Sequence, residues 1–537
     1  MTGRHCAGHA EVLAKPAAAE YSVLAMITRD TAGLDSTFWR GAFLAGVALA
    51  VLVIALLAAR WRPLWYDELF TLYVASETSV GATVSALLAG ADTNPPLDYV
   101  LRHLSLALFG ESPAAFRWPS ALAFIAGLLA IFAYVRRRTG FAPAAAAFVL
   151  PISSAAVFFA HEGRAYALLF ASAPIALWAW QRAIDRRKPL RLLTLLFALC
   201  LGPFSHYFGV LTLVPVATGE AWRSWQRRRV DWGIVAAGAG ACVLLLGLQP
   251  FARGAVSMKQ AFWASGFRVA DLPGYYTGYL EWAGWAFVIV LVAVTLLAAS
   301  GGRFSRTTRL APIPSHEIVA AVVLALTPFS AFLLAQLFTG ALTSKYTITL
   351  VPGVAILLGY LLATAESSSR VLVGLALGVL TAIGLGRFAS SALEYRAIEP
   401  APLQLARMLP PGLSLPVAFD SPHLFLETVY YQPQLASGRF YYPMDAETAL
   451  ATRGFNNDEL ALRRLGQIVP LNVAEYREFL RRNPEFLLVY SSDFWPGLIK
   501  ALQRDGICLR TVAQSGTTTI LFAFPGCVGV AQPQQPN

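Results

Sequence analysis

The chain is 537 residues long, 56% hydrophobic and only 14% charged, with a mean hydropathy of +0.55. No soluble protein of this length needs so much apolar surface, so the composition excludes an ordinary soluble enzyme and points to a polytopic membrane protein. The net charge of +11 falls mostly in short clusters between apolar runs, and no zinc-finger spacing or basic-aromatic strip accompanies it, so it reads as membrane orientation and not as nucleic-acid binding.

The first 40 residues are mixed in character and lack a cleavable signal. They read as a disordered cytoplasmic tail, 1–40, with Met26 as a candidate start. A spanning helix needs roughly 20 apolar residues. Runs of that kind occupy 41–59, 118–135, 141–160, 165–181, 191–205, 208–222, 232–251, 283–300, 318–338, 347–364 and 370–388. Pro203 and His206 interrupt the pair around 191–222. The fold class is therefore an α-helical polytopic membrane protein of about eleven transmembrane helices over 41–388.

Arginines set the orientation. With the N-terminus inside, the inward loops carry Arg136, Arg137 and Arg138, then Arg182, Arg186 and Arg187, then Arg227, Arg228 and Arg229, then Arg303, Arg306 and Arg309. The outward loops carry few basic residues, as the positive-inside rule requires. An odd number of helices then leaves everything after 388 on the outer face of a bacterial inner (plasma) membrane.

Two outward segments are long. Within 60–117, Val80, Val84, Leu87 and Leu88 share one helical face, and Leu97, Leu101, Leu104 and Leu108 share another, so both stretches are expected to lie in the interface. The segment 252–282 carries Trp263, Tyr275, Tyr276, Tyr279 and Trp282, which suit the headgroup level. From 389 to 537 the composition changes to that of a small extracytoplasmic α/β domain. Strands are expected at 415–420, 485–492 and 517–524, with a helix over 495–504 capped by Asp493. Cys508 and Cys527 are candidates for a disulfide if this part faces an oxidising compartment.

Six polar clusters fall at outward ends of helices: Asp67-Glu68, NPPLDY (94–99), HEGRAY (161–166), SHYFG (205–209), the aromatic loop, and SKYTITLVP (344–352). Each has a plain reading alone. Asp67 suits a helix N-cap, Asn94-Pro95-Pro96 a rigid turn, Glu162 and Arg164 an interfacial ion pair, His206 a lone hydrogen-bonded ring, and Lys345 a snorkelling cation. Ionisable groups at such depth are rare and usually face a watery or protein-lined cavity, and their convergence on one face marks a site.

An acidic pair after the first helix, N-P-P-L-x-Y in the long loop, H-E-x-R-x-Y, S-H-Y-F-G and K-Y-x-x-x-x-x-P, in that order, resemble the polyprenyl-phosphate-dependent glycosyltransferases of the GT-C superfamily. More narrowly they resemble bacterial relatives of the dolichyl-phosphate-mannose protein mannosyltransferases and the aminoarabinose lipid A transferases. The resemblance covers residues 40 to about 388. The aminoarabinose transferases typically carry lysine before Pro-Pro-Leu, where this chain has Asn94.

The resemblance implies a sugar moved from a polyprenyl-phosphate donor to an extracytoplasmic hydroxyl in one inverting displacement. The phosphate leaves readily, so the chemistry needs a base on the hydroxyl and positive charge on the departing oxygens. By the same resemblance Asp67 is the base, and Glu68 binds acceptor or orients the loop. Lys345, Arg164 and Tyr346 are candidates for the phosphate. Asn94, Tyr99, Tyr166 and Tyr207 would shape the pocket, and Glu162 with His206 are candidate ligands for a possible divalent metal. Outside the cytoplasm there are no nucleotide sugars, and the sequence has no P-loop or Rossmann fingerprint, which fits a lipid-carried donor. A lipid, a polysaccharide and a protein remain open as acceptors. So do two rival readings: a secondary transporter or lipid flippase, and a non-catalytic membrane scaffold.

Overall fold

Backbone amides in lipid must find partners within their own segment, so long apolar runs become helices. The computed structural model describes residues 15–256, 266–299, 313–366, 370–409, 414–436, 438–492 and 497–526. The chain divides into two compact units, Met1–Val51 and Leu52–Asn537, and the boundary falls within helix α1, Lys15–Trp61.

Three short helices follow: α2 (Tyr66–Ala75), α3 (Val80–Leu88) and α4 (Leu97–Phe109). Next come α5 (Pro113–Arg136) and α6 (Phe141–Val149), the latter continued by 3₁₀ turns to His161. Helices α7 (Tyr166–Asp185) and α8 (Pro189–Ser205) lead through a 3₁₀ turn to α9 (Leu213–Arg227). Then follow α10 (Trp232–Leu245), α11 (Gln249–Val256), α12 (Leu272–Ala299), α13 (Ser315–Ala325) and α14 (Thr327–Leu334). Helices α15 (Leu350–Glu366) and α16 (Arg370–Tyr395) end the helical part.

Among the described residues, six helices are long and apolar enough to cross a membrane, or up to eight if each of two bent pairs is one span. The exact count of eleven is therefore not confirmed by length and composition among the described residues, for local reasons. The run at 191–205 lies in a short helix, that at 208–222 opens as 3₁₀ turns, and that at 283–300 belongs to α12, whose backbone breaks at Glu281. Trp263 and Arg303, Arg306 and Arg309 lie outside the described residues.

Helix α4 is amphipathic with its polar side inward. Asp98, Arg102 and Ser105 are buried, whereas Leu104 and Leu108 are exposed. Arg102 explains the inversion: it donates to both Asp98 oxygens (2.9 and 2.8 Å), to the Phe116 carbonyl and to Ser120 Oγ. A leucine face turned outward is what an interface-lying helix presents.

The C-terminal domain is built on one six-stranded sheet. Its strands are β1 (Val417–Phe419), β2 (Phe440–Met444), β3 (Val473–Glu475), β4 (Phe486–Ser491), β5 (Ile507–Ser515) and β6 (Thr518–Pro525), in the order β3-β2-β1-β4-β6-β5. The β1–β2, β2–β3 and β1–β4 pairs are parallel, with Ala418 opposite Leu488, and the β4–β6 and β5–β6 pairs are antiparallel. Helices α17 (Ala401–Met408), α18 (Pro422–Tyr431), α19 (Pro433–Ala436), α20 (Ala446–Arg453), α21 (Asn457–Leu465), α22 (Tyr476–Arg482) and α23 (Leu498–Arg504) complete it. The strands expected at 415–420, 485–492 and 517–524 correspond to β1, β4 and β6. Strand β2 escapes a sequence reading because Pro443 interrupts it, and proline is tolerated there opposite the three-residue edge strand β3. Asp493 and Cys527 lie outside the described residues, and Cys508 is held in a disulfide.

The domain docks through α18 onto the segment that enters α2. Leu64 N donates to Tyr431 Oη at 2.7 Å, Tyr66 N donates to Glu427 Oε1 at 3.2 Å, and the Tyr66 ring stacks on His423 at 4.0 Å. Burial pushes the Glu427 carboxyl up to about 7. One apolar core runs across the junction, from Leu64, Leu69 and Phe70 to Phe419, Leu424 and Phe425.

Close helix packing sets the depth of the helical part. A Cβ on Gly353 of α15 would lie 2.3 Å from the Ala325 amide nitrogen at the end of α13. Gly353→Ala is expected to cost about 1–3 kcal/mol by overpacking, read as a lower Tm in detergent. Gly374→Ala, with open space around it, is expected to leave Tm unchanged.

Candidate active site

The stretch WYDELF begins with Trp65 in extended geometry, and α2 starts at Tyr66. Asp67 therefore sits inside the first turn with Glu68, not at the N-cap, where the helix dipole favours both acids. Consecutive helical residues point about 100° apart, so the two carboxylates separate.

Glu68 turns inward and is fully buried. Arg117 grips both its oxygens, with Nε donating to Oε1 at 2.7 Å and Nη2 to Oε2. The Gly163 amide adds a bond of 2.5 Å, and Arg62 lies 3.7 Å away. Arg117 also donates to the carbonyls of Ala59, Arg62 and Pro63. Burial by itself would raise the Glu68 pKa, but the Arg117 charge and hydrogen bonds, with Arg62 and Gly163, outweigh it and hold the carboxyl at about 2.

Asp67 turns the other way and is one-third exposed, with Oδ2 3.8 Å from Lys345 Nζ. Lys345 comes from the 3₁₀ turn Ser344–Thr347, and its ammonium lies 4.4 Å from the centre of the Trp65 ring and 5.6 Å from that of Tyr166. Such contacts hold a cation without neutralising it. Arg164 braces the turn from below: Nη1 donates to the Asp67 carbonyl (3.0 Å), Thr71 Oγ1 (2.6 Å) and Asp92 Oδ2 (2.9 Å). Its own carbonyl accepts from Arg102 at 2.9 Å.

Asp67, Asn94, Arg164, Tyr166, His206, Lys345 and Tyr346 all line one cavity of about 370 Å³. His206 Nδ1 accepts from the Phe208 amide, and its ring centre lies 5.6 Å from that of Tyr166 and 4.8 Å from that of Tyr346. Four expected residues do not line it. Glu68 is enclosed by Arg117, and Tyr99 is buried among Val74, Ala86, Leu87 and Ala91. Among the described residues the buried Tyr207 hydroxyl has no hydrogen-bond partner, and Glu162 is 1% exposed with neither oxygen partnered. Burial raises the Glu162 carboxyl to about 7, against the pull of Lys345. Among the described residues no three His, Cys, Asp or Glu side chains group as metal ligands. Of the pair expected to hold a metal, His206 lines the cavity, and Glu162 lies buried outside its lining.

A second cavity, of about 480 Å³, has apolar surface from Ile152, Phe158, Phe159 and Phe388, with Lys345 and the Arg387–Glu281 ion pair also in its lining. Lys345 is common to both cavities.

Sequence reasoning missed three kinds of contributor. Asp92 stands two residues before the Asn94-Pro95-Pro96 turn and was legible only as one more loop acid. Arg102 and Arg117 were hidden in a loop read for its leucines. The third is the C-terminal domain, whose His423, Phe455, Asn457 and Asp458 form part of the cavity wall.

A family model described as dolichyl-phosphate-mannose-protein mannosyltransferase matches residues 93–248. No curated protein sequence matches the chain. The fold is similar to that of ArnT from Cupriavidus metallidurans bound to undecaprenyl phosphate, at 15% identity and a TM-score of 0.58, covering 93% of this chain and 100% of that one. It is similar also to the apo state of the same protein, at 14% identity and a TM-score of 0.57, covering 91% and 98%. The chain thus has the GT-C fold of a multi-pass membrane protein.

Removing one partner of a buried ion pair strands the other, so Glu68→Ala is expected to lower stability by about 3–5 kcal/mol. The pair's contribution is complete above the ordinary carboxyl value of 4.5 and is lost as pH falls toward about 2. Thermal unfolding between pH 5 and 2 is expected to fall more steeply for the wild type than for Glu68→Gln, and parallel curves would contradict this.

Proposed function

We propose that the chain is a membrane glycosyltransferase that moves a sugar from a polyprenyl-phosphate donor to an extracytoplasmic hydroxyl. One observation carries the reading. An aspartate with an accessible carboxylate faces a lysine 3.8 Å away, and that lysine borders both the polar cavity and its apolar neighbour. A donor with a polyprenyl tail, a phosphate and a sugar needs that sequence of surroundings: apolar walls, a cation, then polar walls with a base. The fold shared with a protein solved bound to undecaprenyl phosphate supports the same donor class.

The chemistry follows from the placement. The donor phosphate takes Lys345 as its counter-charge, which releases Asp67 from its ion pair. Asp67 then accepts the proton of the incoming hydroxyl as that oxygen attacks the anomeric carbon. The bond from that carbon to the phosphate oxygen breaks on the opposite face, and the polyprenyl phosphate departs with its negative charge against Lys345. Tyr346, on the same turn, is positioned with it. Arg164 holds the Asp67 backbone and so fixes the base, while adding positive charge to the cavity wall. A single displacement of this kind inverts the anomeric centre.

Asp67→Asn is expected to cut transfer by at least ~10²-fold at normal membrane abundance. Lys345→Gln is expected to raise KM for the donor and lower kcat together, because the lysine meets the phosphate in the ground state and binds it more strongly as charge develops on the departing oxygen. The assay uses purified protein, undecaprenyl-phosphate sugars and a membrane extract from cells lacking the protein, with products read by mass spectrometry. Near-normal transfer by Asp67→Asn, or sugar crossing a vesicle membrane with its phosphate bond intact, would refute the assignment.

A further inference from the structure

Part of the wall of the polar cavity that Asp67 lines belongs to the C-terminal domain. Helix α21 begins at Asn457, and its first turn presents Asn457 and Asp458 to the cavity, with Phe455 just before it. Asn457 Nδ2 donates to Asp458 Oδ1 at 2.7 Å, which fixes the carboxylate. Its other oxygen lies 3.9 Å from His423 Nε2, and the His423 ring is stacked on Tyr66, next in sequence to Asp67.

An acid in the first turn of a helix is ordinarily explained by the helix dipole. Here Glu459 already meets that need. It is buried, it accepts from Tyr442 Oη at 2.8 Å, and it is paired with Arg453. Asp458 faces the cavity instead, nearly buried, on the side where Asp67 adds like charge. Burial first, and the charges of Glu459 and Asp67 after it, push its carboxyl up to about 7. Burial holds His423 down at about 4, so the ring is uncharged at neutral pH and does not offset the acid. A desolvated carboxylate is costly to place, and one that lines a cavity is a candidate for a functional position.

The chemistry of the wall identifies what it meets. A hydroxyl both donates and accepts, a carboxylate accepts, and a primary amide does both, so an adjacent Asp and Asn match neighbouring hydroxyls on one ring. Phe455, a mostly buried ring with the Arg453 guanidinium 5.3 Å from its centre, adds an apolar edge to the lining, which suits the C–H side of such a ring. We propose that Asn457, Asp458 and Phe455 form a sugar-recognition wall, through which the C-terminal domain holds a hydroxyl-rich ring against Asp67. The inference rests on the glycosyltransferase reading above. The ring belongs either to the donor or to the acceptor, and the two sources separate by experiment.

The test uses the full-length protein in nanodiscs, with undecaprenyl phosphate and undecaprenyl phosphates carrying glucose, mannose or arabinose as probes. The variants are Asp458→Asn, Asn457→Asp and Phe455→Ala, each checked for normal abundance and Tm. The first two keep side-chain shape and so guard against misfolding. If the wall holds the donor sugar, the variants bind undecaprenyl phosphate as the wild type does but lose about tenfold or more in affinity for the sugar-bearing lipid, the cost of one or two hydrogen bonds to a charged or amide group. If it holds the acceptor, both lipid affinities are unchanged and KM for a membrane extract rises about tenfold with kcat little altered. Variants that match the wild type in both arms, while the wild type binds and transfers, overturn the wall alone. A wild type that binds none of the lipids overturns the transferase reading and the wall with it.

Discussion

The site depends on a buried ion pair. Glu68 and Arg117 lie out of water, and each is fully engaged: the carboxylate by Arg117 and Gly163, the guanidinium by Glu68 and three backbone carbonyls. A pair so enclosed is costly to desolvate and is worth little beyond what well-packed apolar residues would supply. What it supplies is direction. It fixes the first turn of α2 against the loop that carries Gly163 and Arg164, and the neighbouring Asp67 must then face the cavity. Arg164, held by the same turn, closes the arrangement from the other side.

The helical part was legible because lipid imposes a strong and simple rule on composition. The acids of WYDELF, the glutamate and arginine of HEGRAY, and Lys345 stood out for the same reason, since charge beside an apolar run calls for an explanation. What stayed hidden depends on tertiary approach. Arg102 and Arg117 are ordinary loop arginines until α4, α5 and the 3₁₀ turn before α7 meet around them. Glu162 and His206 each looked like a ligand, but only His206 lines the cavity. Strand β2 was masked by Pro443, and Asn457-Asp458 reads in one dimension as any helix start.

Lys345 illustrates how one side chain can mark a boundary. On one side lie phenylalanines and isoleucine from the turns after α6 and from α16, and on the other lie Asp67, Asp92 and the C-terminal wall. Aromatic rings, and not a committed carboxylate, hold most of its ammonium in place. Its 3.8 Å separation from Asp67 is that of a loose ion pair, easily exchanged for a stronger anion.

Helix α18 does two things at once. Tyr431 and Glu427 take the amide protons of Leu64 and Tyr66, while His423, one turn earlier, reaches the cavity. The seam between the helical part and the C-terminal domain is thus also a wall of the polar chamber. A descendant that exchanges its C-terminal half for another would misalign the chamber unless residues 64–66 came along with it, so the two halves are constrained to evolve as one inheritance.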